Sequence, residues 1–97
     1  MIEMLIRLIY NPETKLFEFT LGEKKWNLTA KEAERLVKDA RKQLIDATDA
    51  MIEFNLSVSD WTINLHGVKS KPAFEYIVKY LDKVWYSYER YNEIHPQ

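Results

Sequence analysis

The chain has no cysteine, only two glycines and three prolines, and a net charge of −1. Each shortage excludes something. Without cysteine there is no disulfide, no thiolate metal site and no cysteine nucleophile. Two glycines are too few for a phosphate-cradling loop, and neither G-x-x-x-x-G-K-[ST] nor G-x-G-x-x-G occurs. Balanced charge argues against a globally basic nucleic-acid binder and against a polyanionic tail. Long apolar runs are missing too. Residues 1–10 are apolar but carry Glu3 and Arg7 and lack a small-residue cleavage site, so neither a signal peptide nor a membrane span is expected there. The expectation is a cytoplasmic protein.

Aromatic residues are plentiful instead: three Trp, four Phe and six Tyr in 97 residues. A chain of this size forms one domain, residues 1–97, and buries about two-thirds of its unfolded surface. Its hydrophobic pattern is written twice: two alternating stretches and then an amphipathic stretch, followed by the same order again. Residues 4–21 read as a hairpin turning at Asn11-Pro12-Glu13-Thr14. Folding there sets Leu8 opposite Phe17, Ile6 opposite Phe19 and Met4 opposite Leu21 on one face. On the other face Arg7 meets Glu18, Ile9 meets Leu16 and Leu5 meets Thr20. Gly22-Glu23-Lys24-Lys25 reads as a second turn, and residues 26–28 as a short third strand.

Thr29-Ala30-Lys31-Glu32 matches a capping box. The stripe Ala33, Val37, Ala40, Leu44, Ala47 and Met51 then predicts a helix near 30–50. A second hairpin turns at Ser59-Asp60, pairing Val58 with Trp61, Leu56 with Ile63 and Phe54 with Leu65. Ser57–Thr62, Asn55–Asn64 and Glu53–His66 fall on its other face. A competing reading runs the first helix through Ile52 and leaves one strand at 61–65. Ser70-Lys71-Pro72 opens a helix near 72–92 with Phe74, Ile77, Val78, Leu81, Val84, Trp85 and Tyr88 inward. The predicted class is α+β: a ββαββα pseudo-repeat with an antiparallel sheet of four or five strands and two helices packed on one face.

Four surfaces are candidates for function. On the sheet face away from the helices, Leu5, Ile9 and Leu16 are more aliphatic than a solvated face requires, and a self-association surface is expected there. The bland alternative is that Trp26 or the C-terminal tail folds over them. Glu53 beside His66 could orient a general base, but no nucleophile, second acid or oxyanion site accompanies them, and a solvated strand face fits as well. Lys31, Arg35, Lys38 and Lys42 form a basic stripe: residues 24–42 hold seven cations against three acids. Such a run is usually a solvated face. Last, Tyr76, Tyr80 and Tyr91 flank the final helix, with Lys83 and Ser87 nearby. Tyrosine joins a large apolar body to a hydrogen-bonding tip and is enriched at interfaces, although the rings could simply lap over the core edge.

No residue set carries catalysis, and His66 and His95 have no ligand-spaced companions, so no enzyme activity, cofactor or metal is expected. The sequence reads as a small protein-interaction module: an adaptor, regulator or inhibitor-like accessory protein acting as a homodimer. Tyr76, Tyr80 and Tyr91 are expected to contact the partner, and Tyr80→Ala to weaken binding without unfolding the domain. The alternative is a nucleic-acid binder using Lys31, Arg35, Lys38 and Lys42, with salt-sensitive affinity.

Overall fold

The alternation in residues 6–28 folds as three antiparallel strands in the computed structural model of the chain, which describes residues 5–95. These are β1 (Ile6–Asn11), β2 (Leu16–Leu21) and β3 (Lys24–Leu28). Helix α1 (Ala30–Asp46) follows, then β4 (Asn55–Val58), β5 (Trp61–Asn64) and helix α2 (Lys71–Ile94). The fold is α+β with two helices, but the expected single sheet of four or five strands is not found. The described residues form a three-stranded sheet, β1-β2-β3, and a separate two-stranded one, β4-β5. The pseudo-repeat is not confirmed either: among the described residues three strands precede α1 and two precede α2.

The register of the first hairpin differs from expectation by two residues. Ile6 lies opposite Leu21, Leu8 opposite Phe19 and Tyr10 opposite Phe17; Arg7 faces Thr20 and Ile9 faces Glu18. The cause is the turn. Asn11 ends β1, and its Oδ1 accepts from the N–H groups of Glu13 and Thr14 at 2.9 and 3.4 Å. Lys15 joins the turn at φ +62° and donates its N–H to the Asn11 carbonyl at 2.8 Å. Including Lys15 moves the fold-back point on by one residue and slides the pairing by two. A two-residue slide keeps every side chain on its own face, so the apolar pattern alone does not discriminate between the two registers. Met4, expected opposite Leu21, lies outside the described residues.

Lys24 and Lys25 belong to β3 rather than to the preceding turn, which is only Gly22-Glu23, with Gly22 at φ +63°. The second hairpin has the expected register, Val58–Trp61 through Asn55–Asn64, and Leu65 donates to the Phe54 carbonyl at 2.8 Å. Helix α1 stops at Asp46, shorter than the pattern implies, and Ala47 caps it. Lys71 Nζ donates to the Ala47 carbonyl at 3.0 Å, placing a cation at the helix C-terminus, where the dipole favours one.

The core lies between the helices and the inner faces of both sheets. Leu8, Phe17, Phe19, Leu21 and Leu28 come from the larger sheet, Leu56 and Val58 from the smaller, and Phe54 from the residue just before β4. Helix α1 buries Ala33, Val37 and Ala40 as its spacing predicts, and also Leu36, which the stripe omitted; Leu44 and Met51 are only partly covered. Helix α2 buries Phe74, Val78, Leu81 and Trp85, with Ile77, Val84 and Tyr88 at the margin. Arg41 and Asp82 tie the helices together through an ion pair.

The capping box at the start of α1 is complete. Thr29 Oγ1 accepts from the Glu32 N–H at 3.2 Å, and the Glu32 carboxylate accepts from the Thr29 N–H at 3.0 Å. That backbone bond, followed by the Ser59 hydroxyl, holds the Glu32 carboxyl below its ordinary value. A carboxyl depressed by folding stabilises the fold above its unfolded pKa, and the contribution is lost as pH falls through the folded value. Urea midpoints measured from neutral pH down into the carboxylate range should therefore fall less steeply for Glu32→Gln than for the natural chain. Identical slopes would show that the box is not coupled to folding. Thr29→Ala should cost about 1 kcal/mol at neutral pH.

Candidate functional site

Helix α2 carries Tyr80, Val84, Ser87, Tyr88 and Tyr91 at spacings of three and four, so these side chains share one flank. The end of β1 and its turn supply Tyr10 and Pro12 opposite them. Between the two lies a groove of about 540 Å³, with Lys83 on its rim and a predominantly apolar lining.

The groove wall is built from stacked rings. Tyr10 packs on Tyr88 with centroids 4.7 Å apart and on Phe17 at 5.0 Å, while Phe17 meets Tyr88 edge-on at 4.8 Å. Phe17 is fully buried, so Tyr10 and Tyr88 rest on a fixed base. Partial burial raises the Tyr10 phenol above its ordinary value, and Tyr88 and Tyr91 add to this. Ser87 Oγ donates to the Lys83 carbonyl at 2.9 Å, which turns the hydroxyl back onto its own helix.

The three tyrosines expected to contact a partner are separated by role. Tyr91 is 43% exposed at one end of the groove, its ring 4.6 Å from that of His95. Tyr76 is 79% exposed, one turn before Tyr80 and outside the groove lining. Tyr80 lines the groove but also braces the fold: its hydroxyl accepts from the Leu8 N–H at 2.9 Å. Tyr80→Ala would uncover the outer edge of β1, so lost binding in that variant would not isolate a partner contact. Sequence reasoning missed Tyr10 and Pro12: the expected register sets Tyr10 opposite Lys15 beside the turn rather than opposite Phe17, and Pro12 reads only as a turn residue.

The other candidates are less organised. Leu5 and Ile9 are exposed and Leu16 partly so. Trp26 does not cover them, since it packs on Phe19 on the helix side, centroids 5.8 Å apart. Lys31, Arg35, Lys38 and Lys42 are all exposed, but Arg35 lies 3.9 Å from Asp39 and Lys38 lies 3.5 Å from Glu34. Carboxylates thus engage two of the four cations. A depression of about 530 Å³ between the start of α1 and the end of α2 mixes Lys31 with Glu34, Glu89 and Glu93, and its lining is less apolar than that of the tyrosine groove.

Glu53 and His66 are exposed; Glu53 precedes β4 and His66 follows β5, so neither belongs to a strand. Among the described residues they form no ion pair with each other, and no three His, Asp or Glu side chains gather as metal ligands would. No described helix is long and apolar enough to cross a membrane. Comparison of the chain with protein-family models, with curated proteins and with solved structures finds no match.

Proposed function

We propose that this protein is a non-enzymatic interaction module, an adaptor, regulator or inhibitor-like accessory protein, that binds another protein through the groove between β1 and α2. One observation carries the reading: Tyr10, Tyr88 and Tyr91 line an apolar groove whose wall rests on the buried Phe17 ring. Rigid aromatic walls lose little conformational entropy on binding, and their hydroxyl tips supply direction. Grooves of this kind accept extended, proline-containing segments. Lys83 on the rim suits a carboxylate in such a segment.

The test begins with tagged protein in its native lysate, split into nuclease-treated and untreated halves. The partner recovered from the treated half is identified, and its affinity is measured for the natural chain, Tyr91→Ala and Ser87→Arg. Loss of an aromatic anchor should weaken binding by about tenfold to thirtyfold, as at an interface hot spot. Affinity unchanged in both folded variants would remove the groove from consideration. Recovery of nucleic acid alone, lost on Lys38→Glu, would transfer the function to the basic stripe.

We assign self-association to the opposite sheet face, through Leu5, Ile9 and Leu16. Leu5, just before β1, and Ile9, toward its far end, are 55% and 45% exposed. Ile9→Lys sets a cation beside Glu18, its cross-strand neighbour, so the monomer tolerates it while a dimer interface does not. Sedimentation velocity should show a dimer for the natural chain and a monomer for Ile9→Lys. A natural chain that stays monomeric into the hundred-micromolar range would rule the interface out.

A further inference from the structure

Each sheet has two outer edges, and the helices treat them unequally. At β1, the Leu8 N–H donates to Tyr80 Oη from α2 at 2.9 Å. At β4, the Asn55 N–H donates to Gln43 Oε1 from α1 at 2.9 Å, and the Asn55 carbonyl accepts from Gln43 Nε2. In both places a side chain stands in for a missing strand and satisfies the edge.

The edge of β3 has no such cover. Two residues, Gly22-Glu23, join β2 to β3, so Leu21 and Lys24 close the hairpin as a hydrogen-bonded pair, and Phe19–Trp26 is the next. The N–H and C=O groups of Lys25 and Asn27 must then point away from β2. Among the described residues nothing bonds to them. A cleft of about 350 Å³ runs beside them, lined by Lys24, Lys25 and Trp26 and, from the smaller sheet, by Trp61 and Ile63. Consecutive strand residues point to opposite faces, so Lys24 and Lys25 can both border one cleft only where it follows the strand edge. No Cα of β3 comes within 8 Å of one in β5, which leaves room beside β3 for a backbone at the usual spacing of about 4.8 Å. Trp61 is 64% exposed here.

We infer that β3 accepts an extended segment of a partner protein as a fourth strand, in which apolar and acidic residues alternate. The apolar residues fall on the face of Trp26 and rest on Trp61 and Ile63. The acidic residues fall on the opposite face beside Lys25, in a row where Arg7 and Thr20 already precede Lys25 across the sheet. Neither Lys24 nor Lys25 has a carboxylate partner among the described residues. Backbone bonds give affinity in this mode, and alternate side chains give selectivity. The site lies at the edge of the sheet opposite the tyrosine groove and does not depend on it.

The probe is a synthetic hexapeptide of alternating valine and aspartate, titrated into the full chain and followed by amide resonances and tryptophan fluorescence. Expected are shifts at the Lys25 and Asn27 amides and a change at Trp61. The valine–lysine analogue and a peptide N-methylated on alternate amides should each bind at least about tenfold more weakly, losing the charge match or the edge bonds. Asn27→Pro removes an outward N–H that β2 does not use, so it should keep the fold and lose the peptide. Trp61→Ala should weaken binding in a domain of unchanged stability, and Tyr91→Ala should leave it intact. The inference is overturned if millimolar peptide moves neither amide. It also fails if the N-methylated peptide binds equally well, whatever the folding of Asn27→Pro. Shifts at Lys25 and Asn27 that grow with protein concentration alone would assign the edge to a second copy instead, overturning the partner strand.

Discussion

Replacing Phe17 with alanine should lower the unfolding free energy by about 3–5 kcal/mol, the usual cost of emptying a buried aromatic site. The ring is fully buried on the central strand of the larger sheet, within 6 Å of Tyr10, Tyr88 and Trp85 by centroid distance. Its neighbours are rings on two other elements, which cannot collapse into the space without moving β1 or α2. Domains of this class are stable by only about 5–15 kcal/mol, so roughly a fifth or more of the total is at stake. Thermal unfolding should move down by roughly 15–30 °C. The same change removes the base on which Tyr10 and Tyr88 stand, so partner affinity should fall even at temperatures where the variant is folded. A urea titration giving a loss below about 1 kcal/mol would mean that the ring cluster relaxes freely, against the packing density expected of a protein interior. The rigid-groove reading would fall with it.

Phe54→Ala should have a similar size but a different reach. Phe54 and Phe74 are both fully buried and stack with centroids 4.6 Å apart and an interplanar angle of 16°. This stack joins the start of the β4–β5 hairpin to the first turns of α2. An isolated two-stranded hairpin is marginal in water, so the smaller sheet depends on such anchors and on its packing against α1. Its loss should release the hairpin before the larger sheet. Hydrogen exchange at the Leu56, Val58 and Ile63 amides should accelerate by at least about a hundredfold, while β2 amides retain most of their protection. Uniform acceleration across both sheets would show that the hairpin unfolds only with the whole domain. Selective release would also expose Trp61 and Ile63 further, disturbing the cleft beside β3 without touching the tyrosine groove.

Faces and caps are local properties, and the amino-acid order alone was enough to read them. Alternation in 6–21 set Leu8, Phe17 and Phe19 inward, and it did so even in the wrong register, because a slide of two preserves the face. Thr29–Glu32 and Ser70–Pro72 marked the helix starts through bonds made within one turn of chain. The stripe of α2 was legible for the same reason. Of the candidate site, Tyr80 and Tyr91 and the nearby Lys83 and Ser87 could be placed on one helix flank, while the opposing wall could not.

What only the tertiary structure decided is which edge meets what. Periodicity encodes the side of a strand that is buried but says nothing of its lateral neighbour, so one sheet of five strands and two sheets of three and two have the same pattern. The choice rests on contacts between residues far apart in sequence: Tyr80 on the edge of β1, Gln43 on the edge of β4, and the separation of β3 from β5. The five-residue turn through Lys15 brought Tyr10 opposite Phe17 and so completed the groove. Local order in the sequence thus determined the elements and their buried faces. Long-range side-chain bonds, which local periodicity does not record, determined how the sheets divide and which surfaces stay open.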